Sequence, residues 1–304
     1  MAIILTAIFK LHGSPVVAQG AGHEYRQLHL GMEIRLVLHA PVAHADSAAR
    51  ATFARIAALE NLLSDWRPNS EVRRLGLHPD SAVAVSQALF DVTARALAMS
   101  RASEGAFDPT VGPLVALWRV ARSTGLAPSD SAVRAARAAT GWQRVRLDTA
   151  SRSITLPRGM QLDLGGIAKG WILGEAASTL RECGVAAFLI EAGGDLLLGD
   201  APPHRSGWTV SVSTPRGDST LTLSNVAVST SGPSIQFVEI AGVRYSHVLD
   251  PRSGRPLTTP FEVTVLHADP ATADALATAI TVLGPEAGAR LAATHGARLI
   301  RRRD

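Results

Sequence analysis

In the stretch "LDLGGIAKGW", Leu162–Trp171, a strand-like run meets two glycines, a lysine and a helix-like segment. Glycines between a strand and a helix leave backbone N–H groups pointing out of the helix start, where an anion is stabilised. The spacing excludes two familiar phosphate cradles. Lys169 is followed by Gly170 rather than by Ser or Thr, so this is not a P-loop, and the G-x-G-x-x-G dinucleotide spacing is absent. By itself the turn serves structure as readily as it serves a phosphate. Lys169 adds weight on the functional side. The chain has only one other lysine, Lys10, and writes its remaining positive charge as arginine, so a compact ammonium is specifically wanted here.

Four further stretches carry residue types with chemical capacity. In "ATADALATAITVLG", Asp274 and Thr278 stand four apart and share a helix face. A carboxylate and a hydroxyl so placed are hard oxygen ligands, which suit Mg²⁺ better than zinc. The same two residues also suit a helix dipole and a hydroxyl bonded back to a carbonyl. "SHVLDPRSGRPL", Ser246–Leu257, brings His247 and Asp250 to the end of a strand, where they serve as base or ligand, or simply as an Asp-Pro turn. In "EGAFDPTVGPLVALW", Phe107 and Asp108 offer an aromatic face and a carboxylate to a heteroaromatic ring with a polar edge. Trp66 in "LLSDWRPNSEVRRL" follows a helix and can stack on a flat ring or close the core as a lid.

These residues must be positioned by a folded scaffold. At 304 residues, with 46% hydrophobic and 18% charged residues and no low-complexity block, the chain can bury a substantial core. The net charge of +4 is spread over dispersed arginines, with a cluster only in the terminal "RLIRRRD", which argues against nucleic acid as a partner. One cysteine, Cys183, excludes an intrachain disulfide and a cysteine metal cluster. Residues 1–22 read as a signal peptide or a disordered leader, with an apolar run, a "VVA" cleavage pattern before Gln19 and no positive start; the first reading predicts export, to the periplasm or the outer face of the membrane, and residues 23–304 read as a single domain.

The elements alternate irregularly. A strand or hairpin is expected over Tyr25–Ala40, then a helix with Phe53, Ile56, Leu59, Leu62 and Leu63 on one stripe, and further helices over Ser86–Gly105 and Pro128–Gly141. Short strands follow Trp142, a helix spans Gly170–Cys183, more strands run to Asp269, and one or two helices close the chain. This order predicts an α+β fold with mixed sheets and a helical insert near residues 84–140, not a doubly wound parallel sheet.

The succession "LLSDWRPNSEVRRL", "GAFDPTVGPLVALW", "LDLGGIAKGW", "EAGGDLLLGD", "VSTSG", "SHVLDPRSGRPL" and "ADALATAITVLG" resembles the ApbE-type family of FAD:protein FMN transferases, over roughly Met32 to Gly284. The resemblance implies a T-fold-like domain and a Mg²⁺-dependent reaction that splits FAD, releases AMP and joins FMN through a phosphoester to a threonine or serine of an acceptor protein. Such acceptors are typically membrane redox subunits with segments on the exported side. Carried over by motif, Asp274, Thr278 and the Ile172 carbonyl match metal ligands, and Met32, Trp66, Ala106, Phe107, Asp108 and Lys169 match contacts to FAD. His247 is assigned near the reacting phosphate, assisting deprotonation of the acceptor hydroxyl.

Three positions depart from the family pattern. Trp66 stands where the family has Tyr, Met32-Glu33-Ile34 replaces Met-Gly-Thr, and Gly174 occupies a position where the family has Asp. Either Glu175, beside it, makes the missing FAD contact, or the contact is lost and FAD is bound more weakly. An FAD pyrophosphatase and a flavin-binding protein without turnover are the alternative functions.

Overall fold

The computed structural model describes residues 22–214, 217–232, 237–259 and 261–303; the leader expected over 1–22 lies outside them except for Gly22. The centre is a seven-stranded sheet: β1 (His23–His29), β2 (Met32–Leu38), β3 (Phe188–Ala192), β4 (Asp195–Leu198), β5 (Val226–Ser231), β6 (Phe261–His267) and β7 (Arg298–Arg303). Its strands lie side by side in chain order, and every pairing is antiparallel.

Side chains alternate across a strand, and both faces of this sheet are apolar. Ile34, Leu36 and Leu38 of β2, Phe188 and Ile190 of β3, and Val263 and Val265 of β6 face the main core, which the helices cover. Val37, Leu189, Leu196, Leu198, Val228 and Leu266 point the other way, onto a hairpin of Trp208–Thr214 and Gly217–Leu223 whose Trp208 and Val210 are fully buried. The α+β expectation holds, with a covered sheet at its heart.

The helices are α1 (Val42–Leu63), α2 (Glu71–Leu75), α3 (Gln87–Ala102), α4 (Gly112–Thr124), α5 (Asp130–Ala138), α6 (Ala168–Glu182), α7 (Pro270–Leu283) and α8 (Pro285–Thr294). The expected stripe of α1 is buried at Phe53, Ile56, Leu59 and Leu63. The insert near 84–140 divides. Leu89, Phe90, Val92 and Ala96 of α3 join the main core, whereas α4 and α5 form a side lobe.

Helix α6 is packed between α1 and α7, and two glycines allow it. A Cβ on Gly170 would lie 2.1 Å from the Pro270 carbonyl oxygen, and one on Gly174 would lie 3.2 Å from Pro270 Cγ. The first distance is impossible without moving backbone. Gly170→Ala is therefore expected to cost about 3 kcal/mol or more of stability by forcing α6 off α7, and a thermal melt unchanged from wild type would refute this packing. Gly174 marks the same seam, where a side chain would have to press on the Pro270 ring.

Candidate active site

The first turn of α6 and the second turn of α7 meet at one point. Helix α6 has no side-chain cap of its own, and its early amides need acceptors. One comes from α7: the Gly170 N–H donates to Asp274 Oδ2 at 2.9 Å. Next to it, Lys169 Nζ lies 2.6 Å from Asp195 Oδ2. Asp195 opens β4 directly after the Gly193-Gly194 turn and is fixed by β5, accepting from the Ser229 hydroxyl at 2.8 Å and the Thr230 amide at 3.1 Å. The "VSTSG" segment thus acts by holding an acid.

The electrostatics follow from burial. Asp274 is 6% exposed. Burial pushes its carboxyl up to about 6, with Lys169 pulling the other way and Asp195 adding to the rise. Burial alone would depress Lys169, but Asp195 and Asp274 outweigh it and its pKa is raised. Two acids and one ammonium leave a net negative centre at neutral pH.

Thr278 follows Asp274 by one turn and reaches the glycine loop. A Cβ on Gly166 would lie 2.9 Å from Phe107 Cε2 and 3.2 Å from Thr278 Oγ1, so the loop backbone is cradled between an aromatic ring and a hydroxyl. Asp274 and Thr278 therefore present hard oxygens to one small space beside a bare glycine backbone. That donor set fits Mg²⁺. Among the described residues no group of three His, Cys, Asp or Glu side chains assembles into a metal site, so any cation here relies on hydroxyl and backbone oxygen as well.

The remaining residues border this cluster. Phe107 and Ala106 are buried, and the Phe107 amide donates to Ser103 Oγ at 3.0 Å. Asp108 is occupied by its own turn, accepting from the Thr110 amide and hydroxyl at 2.8 and 2.6 Å and from the Trp142 amide at 3.3 Å. Burial still raises its pKa against those donors. Met32 sits beneath the Gly193 turn, its sulfur 2.7 Å from where a Cβ on that glycine would stand. Val248 packs with Ala106 and with Val282 of α7, which brings the segment carrying the part-buried His247 to the edge of the cluster.

A second group stands on the other side of the glycine loop. Trp66 is 73% exposed, and the Arg119 guanidinium of α4 lies 3.8 Å from its ring centroid. Arg119 is ion-paired with Asp65 and stands 3.8 Å from Asp163 Oδ2. Asp163 accepts from the Gly165 amide at 2.9 Å. Burial first, then the charge of Asp65, push the Asp163 carboxyl up to about 6, against Gly165 and Arg119. A carboxyl whose folded pKa is raised costs stability above that value and ceases to cost it as pH falls towards the unfolded value near 4. Asp163→Asn is thus expected to be more stable than wild type at pH 8, by about 3 kcal/mol at most, with the advantage fading between about pH 6 and 4. Melting curves across that range test the sign.

A family model described as "ApbE family" matches residues 30–300. The chain belongs to the ApbE family. Among curated ApbE-type relatives, a "FAD:protein FMN transferase" of Klebsiella pneumoniae (strain 342) is 35% identical over 278 residues, covering 88% of this chain and 84% of the relative. One from Vibrio cholerae is 34% identical over 239 residues, covering 76% and 71%. Solved structures agree: a histidine-to-glycine mutant of "Flavin Transferase ApbE" from Vibrio cholerae has a TM-score of 0.84 at 28% identity, covering 93% of this chain and 94% of that one. The ApbE protein of Thermotoga maritima also has a TM-score of 0.84, at 29% identity, covering 93% and 97%. By this relationship the chain is an enzyme of the flavin-transferase class.

Within this ApbE chain the structure brings Lys169, Asp274, Thr278, Phe107 and Met32 to one region and places two other residues apart from it. Ile172 lies inside α6 with its side chain in the core, and its carbonyl accepts within the helix, so it is not open to a metal. Glu175 is six residues from Lys169, which turns it to the opposite side of α6, where it is ion-paired with Arg55 of α1. Its carboxylate does not join the cluster. The residues missed from sequence were Asp195, Asp163, Asp65 and Arg119. All but Arg119 had a signal, since each stands inside a stretch already singled out.

Proposed function

We propose that the protein transfers FMN from FAD to a threonine or serine hydroxyl of an acceptor protein, with release of AMP, in a Mg²⁺-dependent reaction. The observation that carries this reading is the meeting of Asp274 with the first turn of α6 beside the Lys169–Asp195 pair, with Thr278, one turn further along α7, against the bare backbone of Gly166. This set supplies hard oxygens for a cation and an ammonium for phosphate oxygens.

In the reaction the acceptor oxygen forms a bond to the FMN phosphorus, the bridging P–O bond of the pyrophosphate breaks, and AMP leaves. Such displacement needs charge neutralisation and alignment more than a covalent enzyme intermediate. Mg²⁺, held by Asp274 and Thr278, would neutralise the pyrophosphate and the departing AMP. Lys169 orients a phosphate oxygen, with Asp195 fixing its ammonium. Phe107 and Trp66 supply flat faces for the two ring systems, Met32 and Ala106 close the walls beside them, and Asp108 holds its turn. His247, at the edge of the cluster, takes the hydroxyl proton, a step typically contributing about 10²–10⁴-fold.

Among the described residues no helix is long and apolar enough to cross a membrane. An acceptor on an exported membrane redox subunit, reached by export of this chain, is part of the same proposal and is supported by the leader. The test is to incubate the protein with FAD, Mg²⁺ and a threonine-bearing acceptor. Covalent flavin on the acceptor with one AMP per transfer is expected. AMP without acceptor labelling would replace this reading with a pyrophosphatase, and FAD bound without turnover with a flavin carrier.

A further inference from the structure

We infer that Arg119 is a positioning residue that holds the Trp66 indole as a one-sided stacking platform for a flat ring of the dinucleotide. The inference rests on FAD being the substrate. Trp66 lies outside any helix or strand, just beyond α1, and it is 73% exposed, a setting in which an indole ordinarily samples several rotamers. Here one face is closed by the Arg119 guanidinium at 3.8 Å, while the ring's exposure leaves its other face to solvent.

The guanidinium is itself pinned from two directions. It is ion-paired with Asp65, the residue preceding Trp66, and stands 3.8 Å from Asp163 Oδ2 in the glycine loop. The Asp163 amide donates to the Pro109 carbonyl at 2.7 Å, which ties this assembly to the turn that follows Phe107 and Asp108. On its own helix, Trp118 donates from Nε1 to the Gly254 carbonyl at 2.9 Å, anchoring α4 against the turn that follows His247. Arg119 thus links the platform to the walls of the site.

A phosphate role for Arg119 is disfavoured by the same contacts. The planar group is already committed to its acids and to the ring. What remains is a preorganised aromatic face. A face held in place before binding costs less ordering when the ligand arrives, and a guanidinium stacked behind an indole favours a further π-system in front of it.

The test measures AMP and FMN binding by calorimetry, each carrying one of the two ring systems of FAD. Trp66→Ala is expected to weaken one of them by roughly tenfold. Arg119→Gln should weaken the same ligand several-fold and leave the other unchanged, and the double variant should be no worse than Trp66→Ala alone. Arg119→Lys, which keeps the charge and loses the flat face, should restore only part of the loss. Additive effects, equal weakening of both ligands, full rescue by lysine, or no effect of Arg119→Gln would each overturn the inference. A wild-type protein that binds neither AMP, FMN nor FAD would instead overturn the reading of FAD as substrate.

Discussion

Asp274→Ala is expected to lower FMN transfer by about 10³-fold or more at saturating FAD and Mg²⁺, the scale seen when a principal charge-stabilising group is removed from a transfer site. Two separate losses contribute to that variant. Alanine removes an anionic oxygen from the cation site, and it also strips the Gly170 amide of its acceptor at the start of α6. An orphaned buried N–H costs about 1–3 kcal/mol, so reduced activity of the alanine variant could reflect a displaced helix alone. Asp274→Asn separates the two. Its amide oxygen can still accept from Gly170, while the charge is gone. The asparagine variant should therefore melt close to wild type yet remain as inactive as the alanine variant, and raising Mg²⁺ should recover part of its rate. An asparagine enzyme that transfers FMN normally would show that Asp274 only caps the helix.

Sequence and structure agree most where the signal is local. The α1 stripe follows from the helical period, and Asp274 with Thr278 follows from four-residue spacing on α7. The failures have equally local causes. Ile172 and Glu175 lie on α6, where side-chain direction and backbone bonding are set by the helix: the Ile172 carbonyl belongs to the ladder, and Glu175 faces Arg55. Helix α4 lies within the expected helical insert but has no helix of its own in the sequence reading, although proline in the first turn is compatible with starting one. Without α4 there was no reason to place Arg119 beside Trp66. The partners of Asp195 became legible only through strand pairing, because Ser229 and Thr230 belong to β5, which lies alongside β4 by the register Val228 opposite Leu196. Contacts that depend on non-local register cannot be read from spacing within a segment.

Lys169→Met should produce the other large effect, and it is a loss of stability as well as of activity. The ammonium stands 2.6 Å from Asp195 and also attracts Asp274, and both acids are almost completely buried. Removing the cation leaves two carboxylates facing each other across a small space. Breaking a buried pair in this way costs about 3–5 kcal/mol; because the Lys169 side chain keeps 21% exposure, about 2–3 kcal/mol is the better expectation. The sign of the pH dependence is distinctive. In wild type the raised Lys169 pKa contributes stability that is fully present below about 10.5 and is lost only as pH rises through the higher folded value. In the variant Asp274, already raised, loses its nearest compensation and titrates higher still. The deficit should therefore be largest above neutral pH and shrink as Asp274 takes up its proton on acidification. Millimolar Mg²⁺ should restore much of the lost stability at pH 8, because a divalent cation can neutralise the same two carboxylates. Transfer should stay depressed even then, since the ammonium that orients the pyrophosphate is missing. A deficit indifferent to both pH and Mg²⁺ would mean that Lys169 acts through packing, and that the two acids do not form one electrostatic unit with it.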